Sequence, residues 1–465
     1  MVKLFKKGIL LFTNDLRAFD NKVLDQAIKS CESLLVLSIV DEQQFVLNSF
    51  DVRRMGHIRR RFYYQTLQDL QIELAGVHLN LNVLIGNPIQ LLSKIIPEYD
   101  IEALFISRAI DPSARELLRG LERTIQLAQN AEMRGTLAHL KIFECMNYSL
   151  FDQSQFDFEL KDLPDNVYDF IQYVEAIAVK PPFYNHFKSV PTNAFLGPEY
   201  EQYRLRLDFE PAKEISLFSS SDRQLHHSFI GGSTFGLQQL QFYLQEKFQE
   251  RQFFGARILG FDSSDLLMTP WLANGSISLR TLWYALLEYE DSHGQSGLIT
   301  RLLQSLLRYE HCQWIALKYG AGLYELKRDT DAHTRTFYAE RFVAWRNGCT
   351  PYPLVNACMN QLNETGFLTN IAKRVLASCL VDQFQVSWKY GAAYFQMQFV
   401  DYDPGTTWGG WLELARVLPT YKRSSVDFDS IARLHDPDGS YIRRWRGEET
   451  VMPVDNHDMV GWPLG

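Results

Sequence analysis

The feature that most constrains the fold is a change of periodicity partway along the chain. Up to about residue 145, short apolar runs alternate with longer amphipathic stretches, whereas beyond about residue 226 only helical patterns occur. The short runs are Gly8–Phe12, Leu34–Val40, Leu79–Ile85, Ala103–Ser107 and Leu140–Phe143, each the length of a buried strand. Asn21–Ser30, Arg53–Ala75, Pro88–Ile96 and Pro112–Arg134 carry helical spacing between them, and Asp111-Pro112 reads as an N-cap followed by an N1 proline. Strands that alternate with helices bury both faces of a sheet by crossing over it, which makes the sheet parallel and doubly wound. The first strand-to-helix turn reads T-N-D-L-R, so the G-x-G-x-x-G dinucleotide fingerprint is absent.

The predicted organisation is an α/β domain over 1–145, an interdomain linker over 146–225 and an all-α domain over 226–465. The linker is marked by prolines at 164, 181, 182, 191, 198 and 211 and by one helical pattern, Val167–Val179. The helical half opens at Gly231-Gly232-Ser233, with Ser233 a candidate N-cap. Helices are then predicted at Leu279–Glu290, Leu298–Tyr319, Phe337–Arg346, Leu354–Thr365, Ile371–Val381 and Trp388–Val400.

Charge narrows the function classes. With 47 basic and 55 acidic residues the formal net charge is -8, which argues against a generally cationic, nucleic-acid-coating surface. Local basic clusters remain: Arg53, Arg54, Arg59, Arg60 and Arg61 on one predicted helix, and Arg443, Arg444 and Arg446 near the C-terminus. Each is a DNA-phosphate contact, a solvated face or an interdomain contact. The six cysteines form no C-x-x-C pair, His226-His227 has no metal spacing around it, and no metal site is expected. No run is long enough to span a membrane, and the apolar run after Lys3, Lys6 and Lys7 is too short for a signal peptide. The expectation is a reduced, cytoplasmic, monomeric protein.

One segment carries most of the chemistry. From Trp388 to Trp411 the chain reads W-K-Y-G-A-A-Y-F-Q-M-Q-F-V-D-Y-D-P-G-T-T-W-G-G-W. Asp401 and Asp403 sit between tryptophans in an otherwise apolar run, which suits a polar aromatic cofactor that exchanges electrons.

In the helical half, G-G-S-T (231–234), T-P-W-L-A-N-G-S-I-S-L-R (269–280), A-L-K-Y-G (316–320), A-W-R-N-G-C-T-P-Y-P-L-V-N-A-C-M (344–359) and L-N-E-T-G-F-L-T-N (362–370) lead into that segment. In this order and spacing they resemble the FAD-binding domain of the photolyase/cryptochrome family. The stretches L-P-D-N-V-Y-D-F-I-Q-Y-V-E (163–175) and H-D-P-D-G-S-Y-I-R-R-W (435–445) resemble its cryptochrome-DASH branch, and F-T-N-D-L-R-A-F-D-N (12–21) resembles the opening of its antenna domain. The resemblance covers almost the whole chain. It implies an α/β domain, a long linker and a helical domain that holds a U-shaped FAD, with a folate-type antenna such as methenyltetrahydrofolate to which no residue is assigned.

Carried over residue by residue, the resemblance makes Asp401 and Asp403 the acidic pair at the flavin. The family's partner arginine falls on Lys373, which keeps the charge and loses the bidentate fork; the adjacent Arg374 should point elsewhere. Asn370 matches an asparagine beside the flavin and is equally a candidate helix cap. Thr407 falls at the residue facing flavin N5, and is equally readable as a turn threonine. Trp411 and Trp388 match the two inner tryptophans of the electron-transfer chain. The outer tryptophan falls on Arg335, with Phe337 and Tyr338 nearby. Of the phosphate-binding hydroxyls, Thr269 is retained, Ser263 and Ser264 are displaced, and Asp265 adds repulsion. In the family's E-L-I-W-R-D/E motif, Glu becomes Ser305, Trp becomes Arg308 and Arg becomes Tyr309, while Glu310 is kept. The resemblance makes the first two lesion-holding positions and the third an FAD-holding one.

Three readings follow. The first is a cryptochrome-DASH-like flavoprotein that is photoreduced by blue light and has a signalling or binding output. The second is a deoxyribodipyrimidine photolyase that repairs cyclobutane pyrimidine dimers, with single-stranded DNA as the favoured partner. The third is a degenerate photolyase-fold interaction module with weak FAD binding.

Overall fold

The computed structural model describes residues 3–130, 136–183, 190–207, 229–249, 267–325, 339–415 and 426–449. Strands β1 (Phe5–Phe12), β2 (Cys31–Asp41), β3 (Leu81–Gly86), β4 (Ala103–Ser107) and β5 (Lys141–Cys145) form a parallel sheet in the order β3-β2-β1-β4-β5. Helices α1 (Lys22–Ser30), α2 (His57–Gly76), α3 (Pro88–Glu98) and α4 (Pro112–Asn130) cover its two faces. The two-residue period of β1 divides its side chains between them: Leu10 and Phe12 pack with Val23, Leu67 and Leu70, while Ile9 and Leu11 pack with Leu92, Ile95 and Leu121.

Two differences from the sequence reading have tertiary causes. A sixth strand, β6 (Thr192–Asn193), comes from the proline-rich stretch and pairs with Ser33 and Leu34 of β2. Helix α2 starts at His57 and not at Arg53, because the Gly56 N–H is spent on the Met397 carbonyl at 2.8 Å.

Beyond the sheet the structure is helical: α5 (Val167–Val174), α6 (Ser233–Gln249), α7 (Leu279–His293), α8 (Gly297–Tyr319), α9 (Pro353–Thr365), α10 (Asn370–Ser378) and α11 (Trp388–Gln398). Helix α5 ends at Val174, five residues before the predicted end. Helix α10 stops at Ser378 and widens into a π-helical turn, Cys379–Gln383; a second π turn, Gly405–Gly409, follows the acidic pair. Such turns are rare and cluster at functional sites. Ser233 is not an N-cap. It is the first residue of α6, its hydroxyl reaches Glu73 and Asp69 of α2, and Asp69 Oδ2 accepts the Thr234 N–H at 3.0 Å. The cap therefore comes from another helix, a carboxylate against the positive end of the α6 dipole.

The T-N-D-L-R turn joins the two halves. Arg17, fully buried, donates to the carbonyls of Gly275 (2.9 Å), Asn147 (2.6 Å) and Asp20. Asp20, also fully buried, accepts both Nε and Nη2 of Arg280 at 3.1 and 2.9 Å. Glu310 of α8 adds a second tie, accepting from Ser149, the Leu150 N–H (3.0 Å) and Trp314 Nε1 (2.7 Å). The switch point between β1 and β4, where doubly wound sheets commonly take ligands, is thus filled by an interdomain polar network. No helix among the described residues is long and apolar enough to cross a membrane.

Candidate functional site

The site is assembled by α8, α10, α11 and the loop from Phe399 to the second π turn. Lys373 lies on the third turn-facing position of α10, whose N-cap is Thr369: its hydroxyl accepts the Ala372 N–H at 3.4 Å. The cap expected at Asn370 is therefore one residue earlier, and Asn370 is the exposed first residue of the helix. The helical phase turns Lys373 inward and Arg374 to solvent, as expected. Lys373 Nζ stands 3.4 Å from Asp401 Oδ2 and 4.6 Å from the centre of the Phe399 ring.

Thr269 begins the short helix Thr269–Ala273 and donates its hydroxyl to the same Asp401 oxygen at 3.0 Å. Its hydroxyl is thus engaged with the acidic pair. The other Asp401 oxygen, Oδ1, is buried and has no partner among the described residues. An unfilled buried carboxylate oxygen is costly, and a ligand N–H or O–H would complete it.

Asp403 is held differently. Its Oδ1 accepts the Thr406 N–H at 2.8 Å, and burial pushes its carboxyl up to about 6. Gly405 brings the π turn hard against α8: a Cβ there would lie 2.6 Å from the Cys312 carbonyl oxygen. Thr407 is buried on this turn. Asp403 also borders a small interdomain cavity with Tyr309, Gln313, Tyr148 and Asp111, with about 20 Å³ of space open to a water-sized group. The volume suits roughly one water, not a dinucleotide. The Gln313 amide lies beside Asp403 without forming a normal hydrogen bond, and neither of its polar atoms has a partner. Burial holds the Tyr309 phenol, at the position where the resemblance implies an arginine, protonated.

Trp388 and Trp411 are both fully buried. Trp411 packs against α11 one turn from Trp388, where a Cβ on Gly391 would lie 2.4 Å from its ring. Both indole N–H groups lack an acceptor among the described residues. A third indole joins them: Trp408, with its ring centre 5.9 Å from that of Trp388. Trp408 and Tyr402 lie in the Trp388–Trp411 segment with no role assigned from sequence, and Gln313 and Tyr324 carry no sequence signal, since only the fold brings them near.

Of the two positions that the resemblance assigns to lesion holding, Ser305 is half-buried and its hydroxyl turns back to the Arg301 carbonyl at 2.9 Å, while Arg308 is exposed, 5.0 Å over the Tyr168 ring. Of the alternatives for the basic cluster, Arg59 takes the interdomain contact: it stacks 4.0 Å over Tyr402 and donates to the Gln396 carbonyl at 2.8 Å. Arg446 pairs with Glu364 at 3.3 Å on the surface. Ser264, Ser263, Asp265, Arg335, Phe337, Tyr338, His226 and His227 lie outside the described residues.

A parallel α/β domain tied through a long connection to a helical domain with a buried acidic pair and tryptophans defines a photolyase-type flavoprotein. Residues 8–149 match the DNA photolyase family model, and residues 296–458 match the FAD binding domain of DNA photolyase. The chain is 31% identical over 462 residues to a cryptochrome DASH of Idiomarina loihiensis, covering 99% of this chain and 97% of that one. Among solved structures, a cryptochrome from Synechocystis superposes with a TM-score of 0.76 at 24% identity over 98% of this chain and 91% of that one. A class III photolyase from Agrobacterium tumefaciens superposes with a TM-score of 0.72 at 21% identity over 100% and 93%. The chain belongs to the cryptochrome DASH family.

Proposed function

We propose that this chain is a blue-light-driven FAD flavoprotein in which Trp411 and then Trp388 supply the electron, with a signalling or binding output. The observation that carries the reading is the pairing of two fully buried indoles with a buried acidic turn whose Asp401 Oδ1 stands open to a donor. Bound FAD supplies light-driven one-electron chemistry. Asp401, Asp403, Lys373, Asn370 and Thr407 would hold it at the ring, with Thr269 fixing Asp401; Ser264 would serve the phosphates. Lys373 anchors Asp401 so that only one carboxylate oxygen is offered. Burial raises the pKa of Asp403 to about 6, so it is mainly an accepting carboxylate at neutral pH and becomes an acid able to donate as the pH falls toward that value. Burial of Trp388 and Trp411 excludes water from the relay.

Repair of pyrimidine dimers is the weaker reading. Ser305 and Arg308 offer neither the carboxylate nor the stacking platform that the resemblance assigns to those positions, and both side chains are engaged elsewhere. The protein is taken to act as a cytoplasmic monomer, and a folate-type antenna fits the same scheme.

The test begins with the visible spectrum of the purified protein, followed by blue-light illumination with a thiol. Flavin bleaching that is lost in Trp411→Phe supports the reading; a colourless protein that FAD cannot reconstitute sinks it. Incubation with a dimer-containing single-stranded oligonucleotide under blue light separates the alternatives, since efficient repair would move the chain to the photolyase class.

A further inference from the structure

We infer that Trp408 and Tyr324 form the exit limb of the electron relay, taking over from the outer tryptophan whose position carries Arg335. The inference rests on the photoreduction reading above and deepens it. The rings form a continuous line: Trp408 is 5.9 Å from Trp388 at 74°, and Tyr324 is 4.7 Å from Trp408 at 45°. Aromatic clusters also pack ordinary cores, so contact alone decides nothing. The polar surroundings of the rings do.

Trp388 and Trp411 keep their N–H groups buried with no acceptor among the described residues, whereas Trp408 donates its N–H to Gln396 Oε1 at 3.1 Å. An oxidised indole is a cation, and an acceptor on its N–H stabilises that charge. An electron vacancy opened on Trp411 or Trp388 is therefore drawn to Trp408. Beyond it the surroundings change again. The Tyr324 hydroxyl is buried, close enough to the Tyr402 hydroxyl to interact but not in the geometry of a formed bond. Tyr402 in turn donates to Asp111 Oδ2 at 3.5 Å. A phenol gives up an electron readily only as its proton leaves, and this line of groups ends on a carboxylate.

The step balances as follows. Tyr324 passes one electron to the Trp408 radical cation, restoring neutral indole. The Tyr324 O–H proton moves to the Tyr402 oxygen as the Tyr402 proton moves to the Asp111 carboxylate. The products are neutral tryptophan, a neutral tyrosyl radical and a neutral Asp111 acid, so a positive and a negative charge disappear together. A small thiolate in solution then returns one electron to the half-buried Tyr324 ring and leaves as a thiyl radical, while the protons move back from Asp111 to Tyr402 and from Tyr402 to Tyr324, restoring the phenols and the carboxylate. Each passage leaves one electron on the FAD side of Trp411. Arg59, stacked 4.0 Å over Tyr402, opposes oxidation of that ring and keeps the vacancy on Tyr324.

The test uses the FAD-loaded protein and identifies the radical by pulsed electron paramagnetic resonance and transient absorption after a blue-light flash. Wild type is expected to give a long-lived neutral tyrosyl signal, lost in Tyr324→Phe, with the vacancy then held on tryptophan and recombining about tenfold faster. Trp408→Phe is expected to lose the tyrosyl signal and to slow thiol-dependent bleaching about tenfold. If Trp408→Phe does not fold or load, Tyr324→Phe decides alone, because it removes only a hydroxyl without a formed bond. Wild type that bleaches without a tyrosyl signal, or a tyrosyl signal that persists in Tyr324→Phe, overturns the exit limb and leaves photoreduction standing. A loaded wild type that does not bleach overturns both.

Discussion

Replacing Arg280 with Met should cost this protein more than any surface substitution. The Arg280–Asp20 pair lies in the seam between the sheet and the helices, with side-chain exposures of 4% and 0%. Its two hydrogen bonds, at 2.9 and 3.1 Å, match the bidentate fork. Methionine fills the volume but strands the Asp20 carboxylate, whose other donor is the Phe183 N–H at 3.2 Å. Breaking a buried pair from one side typically costs about 3–5 kcal/mol. Arg17 is close enough to feel the Asp20 charge, even though burial lowers its own pKa to about 10. That neighbour places the expected loss near the lower end, about 3 kcal/mol. At roughly 2–4 °C per kcal/mol for domains of this size, the melting temperature should fall by about 6–12 °C. The assay is urea and thermal unfolding followed separately by circular dichroism and by tryptophan emission, since the tryptophans belong to the helical half. Asp20→Leu/Arg280→Met should recover part of the loss, because an apolar pair leaves no stranded charge. A single variant within about 1 kcal/mol of wild type would refute the reasoning.

Glu73 carries a pH prediction. Burial raises its carboxyl from 4.5 to about 7 against the Ser233 and Ala18 hydrogen bonds. The folded state therefore holds the proton more tightly than the unfolded chain; stability from this group is fully present below about pH 4.5 and is lost as pH rises through about 7. Glu73→Gln should flatten the unfolding free energy over that window by on the order of 3 kcal/mol, read from urea midpoints across pH. Gly405→Ala should cost about 1–3 kcal/mol and reduce bound flavin per mole of protein, because the new methyl meets Cys312 backbone and not a yielding side chain. Lys373→Met should lower the stability of the apoprotein by about 1.5–3 kcal/mol through the unpaired Asp401, whereas Lys373→Arg should restore a fork and retain flavin at least as well as wild type; equal flavin content in all three proteins would remove Lys373 from the site.

Much of this architecture was legible because periodicity reports burial. Ala103–Ser107 was read to the residue, since a strand covered on both faces is apolar throughout. Helical phase alone turns Arg374 away from Lys373 and into solvent, as the structure has it. Where the reading slipped, a distant partner had changed a local choice. Asp69 displaced Ser233 as the cap of α6, and Met397 took the Gly56 N–H that α2 would have used.

By itself the sequence determined the sheet and the helical half, because periodicity within short stretches encodes each, while the roles expected for the acidic pair and two of the indoles came from the family resemblance of their motifs. The tertiary structure alone decided what lies beside them. Trp408, Tyr324, Tyr402 and Asp111 come together from three separate parts of the chain, and no local pattern records that meeting. Whether a buried indole has an acceptor, or a carboxylate oxygen a donor, depends on which groups folding places within about 3 Å. In the proposed relay the motif supplies the indoles, and the hydrogen bonds packed around them would set the order in which they are oxidised.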